Sequence, residues 1–304
     1  MVVKASKVFY LNMFTYSIVI PHKNCVSLLQ RCLNSIPQRD DIQTIIVDDV
    51  SNLSENERAL MESFMNDRTK VIFLTQTKYA GGARNVGLSM AEGKWVVFAD
   101  SDDFFTEEAF AVFDDYKDSD AEIVFFGHSA CYSDNLEPTT RLGDRSKYLK
   151  EFVETHSERS EKQLRYKNPT PTSKMIRNVF IKENNFKYEE IRASNDSMFS
   201  LLSGYHASSI VGDSRVVYCS TIRRGSLTQT KNRENAYCRY AETVREYVFF
   251  REHHLEDMYP WVTSAVFHSL KEYGIKEFRK YLRLAHQNDV NIWLGITRRI
   301  CLGK

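Results

Sequence analysis

No stretch of the chain approaches the about 18 consecutive apolar residues that a membrane-spanning helix requires, so a transmembrane segment is not expected. Its first residues, MVVKASKVFYLNMFTY, are interrupted by Lys4, Lys7 and Asn12 and lack the apolar core of a secretory signal; Met13 is an alternative start. The six cysteines (Cys25, Cys32, Cys131, Cys219, Cys238, Cys301) include no C-x-x-C pair and no framework spacing. That excludes a disulfide scaffold and points to free thiols in a reducing cytoplasm. An excess of one charge is missing too: 41 Lys and Arg face 40 Asp and Glu, a formal net charge of +1, which gives no global case for nucleic-acid binding. What remains is 304 residues with 42% hydrophobic and 27% charged side chains, enough for one large α/β domain or one domain with an appendage.

The order of apolar runs and helical periods sets the fold class. Residues 16–21 (YSIVIP), 42–47, 70–75 and 95–99 (WVVFA) read as buried strands, and helical segments separate them. In the first of these helices Cys25, Leu28, Leu29, Cys32, Leu33 and Ile36 make one apolar stripe, with Asn24 as the expected cap. The two cysteines there read as core contacts. Such alternation implies a right-handed, mainly parallel sheet. Residues 133–168 are polar and irregular, with helix expected over 146–163. After residue 233 strand alternation stops, and helices are expected near 234–254, 260–273, 275–288 and 290–301.

Acids gather where strands end. Asp48 and Asp49 follow the second strand, and Asp100, Ser101, Asp102 and Asp103 follow the run at 95–99. Ligands of open α/β sheets bind just past the carboxyl ends of the strands. Crowded like charges are costly there unless a cation or donors offset them, and carboxylates are hard ligands suited to Mg²⁺ or Mn²⁺. The plainer alternative is a helix start, with Thr106 as cap and Glu107 and Glu108 in the first turn. Gly81-Gly82 reads as a tight turn ahead of a helix over 83–91, with Arg84 at the start of that helix, able to face an anion. Ser194-Asn195-Asp196 before an apolar run reads, alone, as another helix start.

Taken together, GGARNVGLSMAEGKWVVFADSDD resembles the donor-binding core of family-2 glycosyltransferases, which have the GT-A fold, and matching segments recur in order from residue 16 to 228. The resemblance implies an α/β, GT-A (Rossmann-like) mainly parallel sheet flanked by helices, with a nucleotide-sugar domain over 14–230 and a C-terminal helical region over 231–304. It implies an inverting enzyme that moves a sugar from a nucleotide-sugar, a UDP-sugar first, to an acceptor hydroxyl in surface-polysaccharide assembly. Donor contacts are then expected from Pro21, His22, Asn24, Asp49, Gly82, Arg84, Asp100, Ser101 and Lys174. Arg223 and Arg224, in TIRRGSLT, would meet the diphosphate, Asp102 would hold Mn²⁺ or Mg²⁺, and Asp196 would be the base. VDDVSN departs from the family pattern by placing Val50 where a glycine is usual. Asn195 stands where a glutamate is usual, and Lys23 stands where an aromatic is common.

The implied partners are the donor and a saccharide or lipid-linked saccharide acceptor, with no nucleic acid. The implied location is the cytoplasm or the inner face of the cell membrane. The end, IWLGITRRICLGK, is short, apolar and basic, and fits either an anionic membrane surface or docking on the sheet. Two other classes share the architecture. A sugar nucleotidyltransferase would carry a Gly-rich, Arg-containing loop after the first strand, where this chain reads PHKNCVS. A non-catalytic nucleotide-sugar-binding protein draws support only from Val50 and Asn195.

Overall fold

The computed structural model describes residues 14–140, 146–222 and 232–293. Strands β1 (Phe14–His22), β2 (Ile42–Asp48) and β3 (Thr69–Phe73) alternate with helices α1 (Val26–Asn34) and α2 (Glu55–Ser63). Helix α3 (Tyr79–Ser89), β4 (Gly93–Phe98), the two-residue β5 (Phe104–Phe105) and α4 (Ala109–Asp114) follow. Then come β6 (Ile123–Tyr132), α5 (Lys147–Thr155), α6 (Glu158–Tyr166), β7 (Lys174–Arg177) and α7 (Asn178–Glu183). Helix α8 (Ser197–His206) and β8 (Ile210–Ile222) complete the sheet, and α9 (Arg233–Glu252), α10 (Thr263–Tyr273) and α11 (Ile275–Gln287) follow it.

The eight strands lie in the order β3-β2-β1-β4-β7-β6-β8-β5. β3, β2, β1 and β4 are mutually parallel; β7 runs against both β4 and β6, and β6 and β8 are parallel. The chain winds outward from β1 to β3 and then crosses back to lay β4 on the other side of β1. The carboxyl ends of β1 and β4 are therefore a topological switch point, where α/β sheets bind ligands.

Strand alternation splits the core into two layers. Ile18, Ile20, Ile46, Trp95 and Val97 pack with α1 and α4 on one face. Val19, Ile45, Val47, Val96 and Phe98 pack with α3, α7 and Phe199 of α8 on the other. Cys32 is fully buried in the first layer, as the helical stripe predicts. A third apolar cluster joins Met198 and Leu201 of α8 to Tyr240, Val244 and Tyr247 of α9 and to Val266, Tyr281 and Ala285 of α10 and α11.

Several local expectations are corrected. α1 is capped at Cys25 without a side-chain bond, because Asn24 has φ 54° and spends its carbonyl on the Asn52 amide at 2.7 Å. Thr106 caps nothing: its hydroxyl goes to the Val216 carbonyl and α4 starts only at Ala109. Gly81 and Gly82 lie inside the first turn of α3 rather than in a turn before it. A Cβ on Gly81 would stand 2.0 Å from the Glu189 carbonyl oxygen, and one on Gly82 2.3 Å from Lys78 Cβ and 3.2 Å from the Glu190 side chain. The bare Gly81 thereby admits the close approach of the 189–195 segment. Helix is found in 146–163 as two pieces, α5 and α6. The expected helix over 290–301 is not found in 290–293, and its remainder lies outside the described residues, as does the TIRRGSLT loop from residue 223 on, with Arg223 and Arg224.

Candidate active site

The ends of β1 and β2 form a closed hydrogen-bonded block. His22 is 1% exposed, and its Nδ1 meets Asp48 Oδ1 at 2.7 Å while Nε2 accepts from the Cys25 amide at 3.2 Å. That pattern sets the Nδ1–H tautomer. Asp49 is equally buried, and its carboxylate accepts from Thr77 Oγ1 (2.7 Å), the Lys78 amide (2.6 Å) and Lys23 Nζ (3.2 Å). It thereby ties β2 to the start of α3. Pro21 is buried beside them, and Ser101 Oγ lies 3.1 Å from Cys25 Sγ. Between Asp49 and Ser51, Val50 is held at φ 54° with its side chain exposed. A β-branched residue is strained there and glycine is not, which accounts for the glycine usual at this place.

The acidic loop after β4 splits its three carboxylates between two tasks. Asp103 is buried, and its carboxylate accepts from the Thr221 amide at 2.6 Å and the Ser220 hydroxyl at 3.0 Å. Burial and the charges of Asp102 and Asp100 push its carboxyl well up from the usual range. Ser220 in turn meets His128 Nε2 at 2.9 Å, and His128 Nδ1 meets Ser173 at 2.9 Å. The Asp102 carbonyl accepts from Arg31 (2.6 Å) and Thr221 (2.7 Å), and the Asp100 amide donates to the Tyr218 hydroxyl (2.8 Å). Asp103 is thus a strut to the end of β8, while Asp100 and Asp102 stay partly exposed. Their donor set fits a hard divalent cation whose shell is completed by phosphate oxygens. Among the described residues, no group of three or more His, Cys, Asp or Glu is arranged to hold a metal ion unaided.

Arg84 is not at a helix start facing outward. It lies in the body of α3, 5% exposed, donating to Asn195 Oδ1 at 2.9 Å and to Asp100 Oδ1 at 2.6 Å. The amide of Asn195 gives this guanidinium a neutral acceptor, so Asp100 is its charged partner. Asp196 precedes α8 and makes no side-chain capping bond. Burial raises its carboxyl above the usual range, against the opposing charge of Arg84. Lys174 is also buried, over the Phe125 ring, with Nζ donating to the Asn168 carbonyl at 2.7 Å. Burial lowers its ammonium to about 7, opposed by the charge of Asp196. The fold thus brings Arg84, Asp100, Lys174 and Asp196 near one another beside the switch point. Pro21, His22, Asp49 and Ser101 lie at or just past the ends of β1, β2 and β4, Gly82 lies in the first turn of α3, and Asn24 bonds Ser51 and Asn52 on the 49–52 turn.

Two acids of α9, which nothing in the motifs singles out, lie near Asp196. Glu246 lies near Ser197 and Asp196, and Glu242, one turn earlier, is 3% exposed. Burial, with the charges of Glu242 and Asp196 adding to it, raises Glu246 to about 7. The available signal was a pair of acids four apart on a helix whose Tyr240, Val244 and Tyr247 are core. An unfolded Glu246 titrates near its ordinary value of 4.5. Between 4.5 and about 7 the folded chain therefore holds the extra proton, and stability falls as pH rises through this window. Glu246→Gln, which cannot ionise, should melt higher relative to the wild-type chain at pH 8 than at pH 5. Thermal unfolding at both pH values checks this, and an unchanged gap refutes it.

With the geometry in place, comparisons with known proteins sharpen the picture. The family model described as glycosyl transferase family 2 matches residues 17–183. Poly(ribitol-phosphate) beta-N-acetylglucosaminyltransferase TarS of Staphylococcus aureus is 25% identical over 221 residues, 70% of this chain and 36% of TarS. Glycosyltransferase GlyG of Streptococcus pneumoniae is 30% identical over 113 residues, 36% of this chain and 37% of GlyG. The chain thus spans little more than a third of the length of these relatives. The crystal structure of residues 1–349 of S. aureus TarS in complex with UDP-GlcNAc superposes with a TM-score of 0.65 at 17% identity, covering 90% of this chain and 80% of that one. Mannosyltransferase PcManGT of Pyrobaculum calidifontis, in complex with GDP-Man and Mn²⁺, superposes with a TM-score of 0.53 at 15% identity, covering 89% of this chain and 80% of that one.

Proposed function

Because the chain belongs to glycosyl transferase family 2 and has its GT-A fold, we propose that it transfers a sugar from a nucleotide-sugar, a UDP-sugar first, to an acceptor hydroxyl with inversion at the anomeric carbon. The observation that carries this reading is the ion pair of Arg84 with Asp100 at the sheet's switch point, near the half-buried Asp196, whose side chain caps nothing. Asp196 takes the proton of the acceptor hydroxyl as its oxygen attacks the anomeric carbon. The bond from that carbon to the diphosphate oxygen breaks, and the electron pair leaves with the nucleoside diphosphate. The raised carboxyl of Asp196 makes it a stronger base than a free aspartate. Arg84 fixes Asp100 toward the nucleotide, and Lys174, Arg223 and Arg224 are the cations assigned to the phosphates. Asp102, with Asp100 beside it, would hold Mn²⁺ or Mg²⁺, whose charge would stabilise the leaving diphosphate. Residues 14–230 form the transferase unit in this reading, and 231–304 a helical region set against it.

A panel of nucleotide-sugars, assayed with and without Mn²⁺ for release of nucleoside diphosphate, tests the proposal. Metal-dependent release of UDP from one donor is expected. Pyrophosphate as product would make the chain a nucleotidyltransferase, and donor binding without any turnover a binding protein.

The relatives' names supply the setting. One curated relative, from Campylobacter jejuni, is a GalNAc(5)-diNAcBac-PP-undecaprenol beta-1,3-glucosyltransferase, 33% identical over 92 residues, and TarS acts on poly(ribitol-phosphate). A surface-polysaccharide acceptor, in one case lipid-linked, is therefore proposed for this chain, together with contact of its helical region with the anionic face of the cell membrane. No helix among the described residues is long and apolar enough to cross a membrane. Trp261, Phe267, Leu270, Ile275 and Trp293 are nonetheless exposed, among exposed Lys271, Lys276, Arg279 and Arg283. The sequence after Asp289 adds Arg298, Arg299 and Lys304 and no acid. Apolar side chains among cations suit the surface of an anionic bilayer. The protein should sediment with phosphatidylglycerol vesicles but not with phosphatidylcholine vesicles, and removal of residues 293–304 should weaken this while donor hydrolysis continues. Undiminished sedimentation of the truncated chain would rule the contact out.

A further inference from the structure

We propose that Arg31 of α1 is the positioning residue of the cation loop, holding the main chain at Asp102 so that its carboxylate is kept ready for a divalent cation. This rests on the transferase reading above, in which Asp102 holds Mn²⁺ or Mg²⁺, and names what orients that ligand. Arg31 stands in the last turn of α1, and its fork reaches the acidic loop, the residue after β6 and the end of β8. Nη2 donates to the Asp102 carbonyl at 2.6 Å and lies 3.3 Å from Ser133 Oγ and 3.4 Å from Thr221 Oγ1. Nη1 donates to the Ser133 carbonyl at 3.0 Å. The Thr221 hydroxyl donates to the same Asp102 carbonyl at 2.7 Å, which engages both lone pairs of that oxygen. The guanidinium also sits 5.4 Å from the centre of the Phe104 ring, a contact that steadies it.

The loop is gripped on both sides of Asp102. One turn beyond Arg31, at the C-cap of α1, the Ser35 hydroxyl accepts from the Phe105 amide at 3.0 Å. At the other end Arg84 holds Asp100 Oδ1 at 2.6 Å, and the Tyr218 hydroxyl lies 2.8 Å from the Asp100 amide. The main chain that carries the partly exposed Asp102 is therefore fixed at residues 100, 102 and 105. A loop that the cation itself had to order would lose that ordering cost from its affinity, and a loop ordered in advance does not. The competing role for Arg31 is charge balance. Its acceptors named here are all neutral oxygens, although three carboxylates stand in the adjacent loop, which favours a geometric task. The two roles differ in sign. A guanidinium beside a bound cation repels it, so loss of the charge alone would tighten Mn²⁺ binding, whereas loss of the fork loosens it.

The test titrates UDP calorimetrically into the full chain, once with Mn²⁺ and once with EDTA. Arg31→Lys keeps the charge and loses the fork, and Arg31→Met loses both. Each should weaken Mn²⁺-dependent UDP binding about 10-fold, the lower end of what partners that orient a metal ligand contribute. Binding of UDP in EDTA should move little. Arg39→Met is the control for general destabilisation, because Arg39 bonds Asp41 and Asp114 rather than the loop. Its melting temperature should fall while Mn²⁺-dependent binding stays as in the wild type, and circular dichroism melting confirms that all three variants fold. Wild-type binding by Arg31→Lys would mean that charge suffices and overturns the proposal, as does tighter binding by Arg31→Met. So does an equal loss of binding in Arg39→Met. A wild-type chain whose UDP binding does not respond to Mn²⁺ instead overturns the metal assignment in the transferase reading, and this inference with it.

Discussion

Asp196→Asn should abolish most glycosyl transfer while leaving binding of UDP and Mn²⁺ close to that of the unaltered chain. A positioned proton transfer supplies roughly 10²–10⁴-fold, and the amide cannot take the acceptor's proton, so transfer should fall by at least that factor. The competing explanation for an acid at this place is helix capping. Asparagine caps about as well as aspartate, so under that explanation the change would be nearly silent. The structure sharpens the contrast, since Asp196 makes no side-chain bond to the first turn of α8. Two neighbouring acids are tied up elsewhere: Glu189 by Arg245 at 2.7 Å and Glu190 by Lys78 at 3.2 Å. Retained transfer with full donor binding would remove Asp196 from the role of base and leave Glu246 as the acid beside it.

Asp102→Asn should cost metal-dependent UDP binding at least ~10-fold, because even groups that only support a metal ligand contribute that much and a direct ligand contributes no less. The informative control is Asp103→Asn, one residue on. Asp103 bonds Thr221 and Ser220 with its two carboxylate oxygens, and an amide can accept only with one. That variant should lower the melting temperature. Calorimetric titration of UDP at fixed Mn²⁺ separates the two effects. If Asp102→Asn binds metal and nucleotide as before, the cation is held elsewhere.

The sheet was legible because its strands are short apolar runs that end in acids, a pattern written in consecutive residues. The expected strands at 42–47 and 95–99 became β2 and β4 within a residue or two. Contacts between distant segments were not legible. The inward turn of Arg84 depends on Asn195, 111 positions away, which no local period announces. The glycine pair was read as a turn because glycine permits one; its actual use, the approach of the Glu189 carbonyl, needs the fold to be known. Asp103 matched its neighbours in charge, and only the end of β8 distinguishes it from them. The α9 acids were hidden by the helix itself, since a polar pair on a long helix looks the same whether it meets solvent or the protein interior.

The bond from Asp103 to Thr221 also carries a consequence for biosynthesis. A ribosome delivers the acidic loop 118 residues before the strand end that braces it. The first four strands of the sheet are mutually parallel neighbours and come from the first third of the chain, so they can assemble early. During that interval three carboxylates crowd one loop with no Thr221 amide to receive them. A chain that stops short of residue 221 therefore lacks the amide that receives Asp103, and the acidic loop reaches its native bonds only after β8 has emerged and docked.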